Sequence, residues 1–282
     1  MNNKRWFAIR LLAVLITIIV IIFAYHYVIN TIFEKIKPPT YDIESEGIPK
    51  FINTDFIELD KIEYIKRFRT YGYDDSDDFE NCRSMTQGYV AFEEYRVNNE
   101  VKIFSPIDGE IIRIHQIPVN VSGEWKVETK NLITSVTIRS SEYPAFTVYI
   151  MSLDIRDMGL QAGTELSAGQ HIGYFCMSHA GTTVGLPYNA IRISVNTPDG
   201  YKKLSYFQVM TDDVFQSYKD RGATCIEDFI ISKEERDTDP LTCTYASDCG
   251  GFFWIYEKGD IPSWVYLGNK PSDFKILSDI EY

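Results

Sequence analysis

The chain has 282 residues, 45% of them hydrophobic and 14% aromatic, which is ample for a packed core and excludes a chain that stays unfolded. The formal net charge is −12, with no Lys/Arg cluster to offset it, so nucleic acid is excluded as a partner because its phosphates would be repelled. Four histidines in the whole chain are a meagre supply for a zinc enzyme.

Residues 1–10 carry Lys4, Arg5 and Arg10 and read as a cytoplasmic N-terminus. Residues 11–29 (LLAVLITIIVIIFAYHYVI) form an unbroken apolar run, and about 20 such residues cross a bilayer as a helix. A cleavable signal has a shorter apolar region and a small-residue cleavage site, absent around Phe23-Ala24-Tyr25. The run is therefore expected to be an uncleaved, single-pass transmembrane anchor. His26, between two tyrosines, falls in the far interfacial belt. Cations ahead of the run outnumber Lys35 and Lys37 behind it, which places the main body outside the cytoplasm.

Residues 30–80 are expected to be an acidic spacer opened by the stiff pair Pro38-Pro39. Within it, residues 71–81 (YGYDDSDDFEN) gather Asp74, Asp75, Asp77, Asp78 and Glu80. A calcium loop would need a glycine at its sixth position and a closing glutamate. Neither is present, so the run reads as a solvated loop.

Residues 81–205 read as a small antiparallel β-domain. TQGYVAFEEYRV (86–97) suggests a strand pair, and residues 102–114 place the turn Pro106-Ile107-Asp108-Gly109 between two β-branched runs. Residues 123–131 read as a polar loop, followed by strands around 136–138 and 146–151. In AGTELSAGQHIGYF (162–175), Gly163, Gly169 and Gly173 fit no helical period; glycine tolerates positive φ, and the three suggest a tight turn running into a strand on which Gly173 alternates with Ile172 and Tyr174. A glycine-rich loop (176–189) leads to the alternating strand 190–195 and the turn 196–200. From residue 206 the texture changes to a small α/β appendage (206–282). A helix is expected over 212–221, another is N-capped by Ser232 with Glu235 three residues on, and aromatic strands flank a hairpin at 259–262.

The cysteines are 82, 176, 225, 243 and 249. Cys176 lies on the alternating strand and reads as a buried thiol. Outside the cytosol the other four suit two disulfides, with three possible pairings; Cys82–Cys243 with Cys225–Cys249 would staple the tail onto the domain. No C-x-x-C pair supports a zinc ribbon.

This order of elements resembles the lysostaphin-type (LytM-like) zinc endopeptidases, built on the duplicated-hybrid-motif β-fold. SPIDGEI (105–111) is similar to that family's first turn and GTELSAGQHIG (163–173) to its second. VTIRS (136–140) and VYIMSL (148–153) are similar to its middle strands, and NAIRISV (189–195) to its last. The resemblance spans about 82–195. It implies metal ligands at positions occupied here by Thr86, Val90, Met151, Ala190 and Arg192. A zinc hydrolase keeps three protein ligands and an open position for water. None of these five side chains replaces a histidine or aspartate, so the resemblance is to a degenerate member with no catalytic residues, no metal and no cofactor. Such a domain is expected to bind a cell-wall polymer or an envelope protein. His179, in the glycine-rich loop, is the candidate groove contact; His115 and His171 read as surface histidines. The tail resembles that of uncharacterised bacterial envelope proteins with this β-core.

Three rivals follow from the same residues. One is an active zinc endopeptidase acting on peptidoglycan through unconventional ligands. Another is a periplasmic adaptor of an export system, although the loop at 123–131 is too short for that class's helical hairpin. The third is similar to phosphatidylserine decarboxylases, with Gly181–Thr182 at the self-cleaving bond and no serine there.

Overall fold

The computed structural model describes residues 38–70, 87–96, 100–118, 132–175, 189–239, 243–246, 253–256 and 260–278. The expected anchor, the acidic run 71–81 and the glycine-rich loop lie outside them. Among the described residues, no helix is long and apolar enough to cross a membrane. The chain divides into two compact units, Met1–Pro39 and Thr40–Tyr282, and the elements below belong to the second.

The second unit opens with the short helix α1 (Ile43–Glu46), whose first turn is capped by the Asp42 carboxylate accepting from the Glu44 and Ser45 N–H groups at 3.1 and 3.3 Å. Strand β1 (Ile62–Lys66) precedes β2 (Gln87–Ala91), a one-turn helix α2 (Glu93–Arg96) and β3 (Lys102–Phe104). Next come the long strands β4 (Gly109–Pro118), β5 (Leu132–Ser140) and β6 (Phe146–Asp154), then β7 (Glu165–Leu166) and β8 (His171–Phe175). A further pair, β9 (Asn189–Thr197) and β10 (Gly200–Leu204), leads to helices α3 (Asp212–Lys219) and α4 (Lys233–Thr238). The tail adds β11 (Cys243–Ala246), β12 (Phe253–Tyr256), β13 (Trp264–Tyr266) and β14 (Lys275–Leu277).

Twelve strands make one sheet in the order β14-β13-β1-β2-β9-β6-β5-β4-β7, with β10 beside β9 and β8 joining β6 and β3; β11 and β12 pair separately. All of its pairings are antiparallel. Along β5, β6 and β9, residues alternate between the two faces, as a two-residue period requires. Val136, Ile138, Phe146, Val148, Ile150, Ile191, Ile193 and Val195 point inward and are fully or almost fully buried.

A sheet with one apolar face must cover it, and two segments do so. The first is 51–57: Phe51, Ile52, Phe56 and Ile57 pack into the same core, and β1 pairs with β2. This corrects the acidic-spacer expectation for residues 40–70, where the acids Glu44, Glu46, Glu58 and Asp60 decorate a segment whose apolar side chains are core. The second is the tail, where Tyr206, Phe207, Phe215, Tyr218 and Phe229 form one aromatic cluster. Phe207 and Phe229 stack with ring centres 4.0 Å apart. Buried Gln87 ties β2 to this tail: its Nε2 donates to the Phe229 carbonyl at 2.9 Å, and its Oε1 accepts from Ser205 Oγ and Tyr206 N. The appendage expected over 206–282 therefore shares the domain's core, and its strand β13 joins the main sheet through β1.

Both turn motifs have a physical reason for glycine. Gly163 and Gly169 sit at φ +88° and +79°, as the sequence pattern predicts. Gly173 does not; it is a strand residue over which the Asp154 carbonyl passes so closely that a Cβ would collide. Gly109 is held the same way, beneath the Arg139 carbonyl. Cys225 is an exposed free thiol, which corrects the expected bridge to Cys249. Cys82 and the side chains of Cys243 and Cys249 lie outside the described residues, as does the other expected bridge.

Candidate functional site

The inward face is covered by residues 51–57 and the tail, leaving the other face of β6 and β9 half-exposed: Thr147, Tyr149 and Met151 on β6, Arg192 and Ser194 on β9. Register assembles these into cross-strand rows. Met151 lies opposite Ala190, Ala190 opposite Gly88, Gly88 opposite Lys66, and Lys66 opposite Trp264. The next row runs Arg113, Thr137, Tyr149, Arg192. A third runs Glu110, Arg139, Thr147, Ser194, Lys203.

The positions singled out in the sequence thus share one face of adjoining strands. Ala190 and Arg192 are two residues apart on β9, Met151 is the cross-strand partner of Ala190, and Val90 is two residues beyond Gly88 on β2. Thr86 and His179 lie outside the described residues. Val90 is fully buried, packed with Trp264 and flanked by Tyr64 and Leu277. Ala190 is buried and Lys66 is buried beside it in the row. The Arg192 guanidinium carbon lies 4.8 Å from the centre of the Tyr149 ring, a cation–π contact that fixes the charge on this face.

β6 carries a bulge at this point. Thr134 pairs with Leu153 and Val136 with Ile150, so Ser135 faces both Met151 and Ser152. Ser152 takes φ +59°, rare for a non-glycine residue. The extra residue turns both Ile150 and Leu153 into the core while keeping Met151 outside. The sequence reading missed this bulge, because nothing in VYIMSL marks Ser152 as left-handed.

The two described histidines lie on separate strands, His115 on β4 opposite Ser135 and His171 on β8. His115 on β4 is exposed. His171 is half-buried rather than a surface residue: its Nε2 donates to the Gly173 carbonyl at 2.9 Å, and its ring meets Tyr174 edge-on at 4.8 Å. A hollow of about 190 Å³ lies elsewhere, lined by Gln116, Thr134, Asp154, Ile155, Arg156, Gly159 and Leu160. There Arg156 binds Asp154 at both carboxylate oxygens, holding that carboxyl below its ordinary range.

A buried polar cluster under the sheet was not anticipated either. Asp55 reads in sequence as one more spacer acid. In the structure the residue is only partly exposed, and its carboxyl Oδ2 is buried. Tyr206, fully buried, donates to Asp55 Oδ1 at 3.2 Å while accepting the Phe56 N–H at 3.2 Å. Burial pushes the Asp55 carboxyl up to about 6, against the lowering effect of the Tyr218 and Tyr206 hydroxyls. Burial likewise drives the Tyr89, Tyr206 and Tyr218 hydroxyls well above the usual phenol range. The cluster ties residues 54–56, β2 and the tail together, and is a structural joint on the side of the sheet away from Arg192.

No protein-family model matches the sequence, and no curated protein matches it. Several solved structures are similar to parts of it. One is lysostaphin, at 13% identity and TM-score 0.29, with 50% of this chain aligned to 48% of that one. Another is described as a glycyl-glycine endopeptidase, lytM, from Ruminococcus gnavus, at 15% identity and TM-score 0.32, aligned over 51% of this chain and 59% of that one. A third is the SpoIIQ–SpoIIIAH pore-forming complex, at 10% identity and TM-score 0.32, over 62% of this chain and 99% of that one. The chain spans about half the length of the lysostaphin structure it matches.

Proposed function

We propose that this chain is an envelope protein, anchored by residues 11–29, whose peptidase-like sheet binds its ligand without hydrolysing it. The observation that carries the reading is the placement of Met151, Ala190 and Arg192 on one face of paired strands, with Val90 on the next strand. The family resemblance puts metal ligands at those positions. A thioether, a methyl group and an isopropyl group do not supply the imidazole or carboxylate that a zinc site needs, and a guanidinium brings positive charge to the place where a cation would sit. What is left is a face on which Thr147, Tyr149, Met151, Arg192 and Ser194 are half-exposed beside the buried Ala190 and Val90, suited to holding a cell-wall peptide, a glycan or a partner protein. The cationic residues 4, 5 and 10 put the N-terminus in the cytoplasm and the β-domain outside.

The test is incubation of the purified full chain, in detergent, with purified cell-wall material. Co-sedimentation without release of soluble peptide or glycan fragments is expected. Release of new amino termini would favour the active-endopeptidase reading.

A further inference from the structure

The face just described is basic, although the chain as a whole is strongly acidic. Across β4, β5, β6, β9 and β10, the outward positions hold Arg113, Arg139, Arg192 and Lys203, with the acid Glu110 at the far edge beside Glu165 of β7. Arg113 is exposed, and Arg139, Arg192 and Lys203 are half-exposed. Among the described residues, neither Arg113 nor Arg139 takes part in an ion pair. Hydroxyls are interleaved with the charges: Thr137 next to Arg113, Thr147 next to Arg139, and Ser194 next to Lys203. Neighbouring strands are about 4.8 Å apart, so the cations are stepped across the sheet and not clustered at a point.

From these observations we infer that the outward face of β4–β10 is a docking surface for an acidic polypeptide segment of a partner protein; the inference rests on the non-hydrolytic reading of the same face. Charge complementarity selects an anion. Arginine's planar fork pairs with carboxylates at two points, and fixed hydroxyls between the forks accept or donate further hydrogen bonds. The choice of a polypeptide over a phosphate polymer comes from the other half of the surface. Beyond Arg192 the rows turn apolar and aromatic, through Met151, Tyr64, Tyr266 and Leu277, all half-exposed. A chain that mixes carboxylate and apolar side chains matches both halves, whereas a uniform phosphodiester polymer matches only the first. A bilayer surface is a poorer fit, because the apolar side chains described on this face are only half-exposed and stand on strands.

The test uses the full chain in detergent and three probes: a random copolymer of glutamate and tyrosine, inorganic polyphosphate, and vesicles of mixed phosphatidylcholine and phosphatidylglycerol. The copolymer is expected to bind, to weaken with added salt, and to lose about tenfold or more in affinity with the double variant Arg113→Glu/Arg139→Glu. Arg113 is exposed and Arg139 partly so, and neither is in the core, so circular dichroism and the unfolding midpoint should match the parent. Lys219→Glu, the same charge reversal made once on the exposed side of α3, should leave binding unaltered, whereas Arg113→Glu alone should already weaken it. Absence of copolymer binding, binding insensitive to the double variant, or binding of polyphosphate or vesicles as tight as that of the copolymer would each overturn the inference. Fragment release from cell-wall material would overturn the non-hydrolytic reading instead, and is scored separately.

Discussion

Arg192 and Tyr149 face each other across the β9–β6 pairing, the guanidinium carbon 4.8 Å from the ring centre. The contact holds a permanent positive charge in place on this face. It also gives the face an internal check. Replacing Tyr149 with leucine keeps apolar bulk and removes the ring, which should cost about 0.5–2 kcal/mol of stability. In a double-mutant cycle with Arg192→Met, urea unfolding should show a favourable coupling of about 0.5–1 kcal/mol; additive losses would mean that the charge and the ring do not interact.

Asp55 predicts a pH dependence of definite sign. Its carboxyl titrates near 6 in the folded chain, above the unfolded value of 3.8. Between those values the folded state holds the proton more tightly than the unfolded state, so this group's contribution to stability falls as pH rises from about 4 to about 6, then levels off. The size is on the order of 2–3 kcal/mol. Asp55→Asn, which still accepts from Tyr206, should therefore raise the unfolding midpoint at pH 7.5 and lose most of that advantage at pH 4. A midpoint lowered equally at both pH values would contradict the assignment.

Arg221 binds three carbonyls on two distant stretches: Leu59 at 2.6 Å and Ile62 at 2.9 Å on one, and Gly268 on the other. Burial pulls its guanidinium below the usual range, but it stays charged. Arg221→Met should cost about 2–3 kcal/mol in urea unfolding, because three carbonyls lose a charged donor at once. Arg221→Lys should recover only part of this, since an ammonium lacks the planar fork that reaches all three.

The two glycine turns make an ordered prediction. Gly109→Ala and Gly173→Ala should each cost about 1–3 kcal/mol, because the Arg139 and Asp154 carbonyls already occupy the space a methyl group would need. Gly163→Ala should cost less, about 1 kcal/mol, since its φ of +88° is disfavoured for alanine but nothing lies within reach of the added carbon. Thermal unfolding of the three variants side by side checks the ranking.

Some of this was legible in the sequence and some was not, for identifiable reasons. Alternation in residues 136–138, 146–151 and 190–195 announced β5, β6 and β9, because a two-residue apolar period on a sheet buried on one face has few other readings. The spacing Asp108-Gly109 and Gly163…Gly169 announced the turns. The role of residues 40–70 stayed hidden because local acidity masked Phe51, Phe56 and Ile65, and long-range burial leaves no local period. Asp55 was hidden for the same reason: its hydrogen-bond partner, Tyr206, is 151 residues away in the chain. The pairing of Met151 with Ala190 was implied only through the family resemblance; the register places the two side by side.

The central claim is that Met151, Ala190, Arg192 and Val90 leave this face unable to hold a catalytic metal. The most direct measurement is the zinc content of the purified full chain after equilibration with excess zinc and removal of loosely bound ion, read by mass spectrometry together with fragment release from cell-wall material. Well under one zinc per chain and no release are expected. One tightly held zinc per chain, with release that stops on chelation and returns when zinc is restored, would contradict the claim.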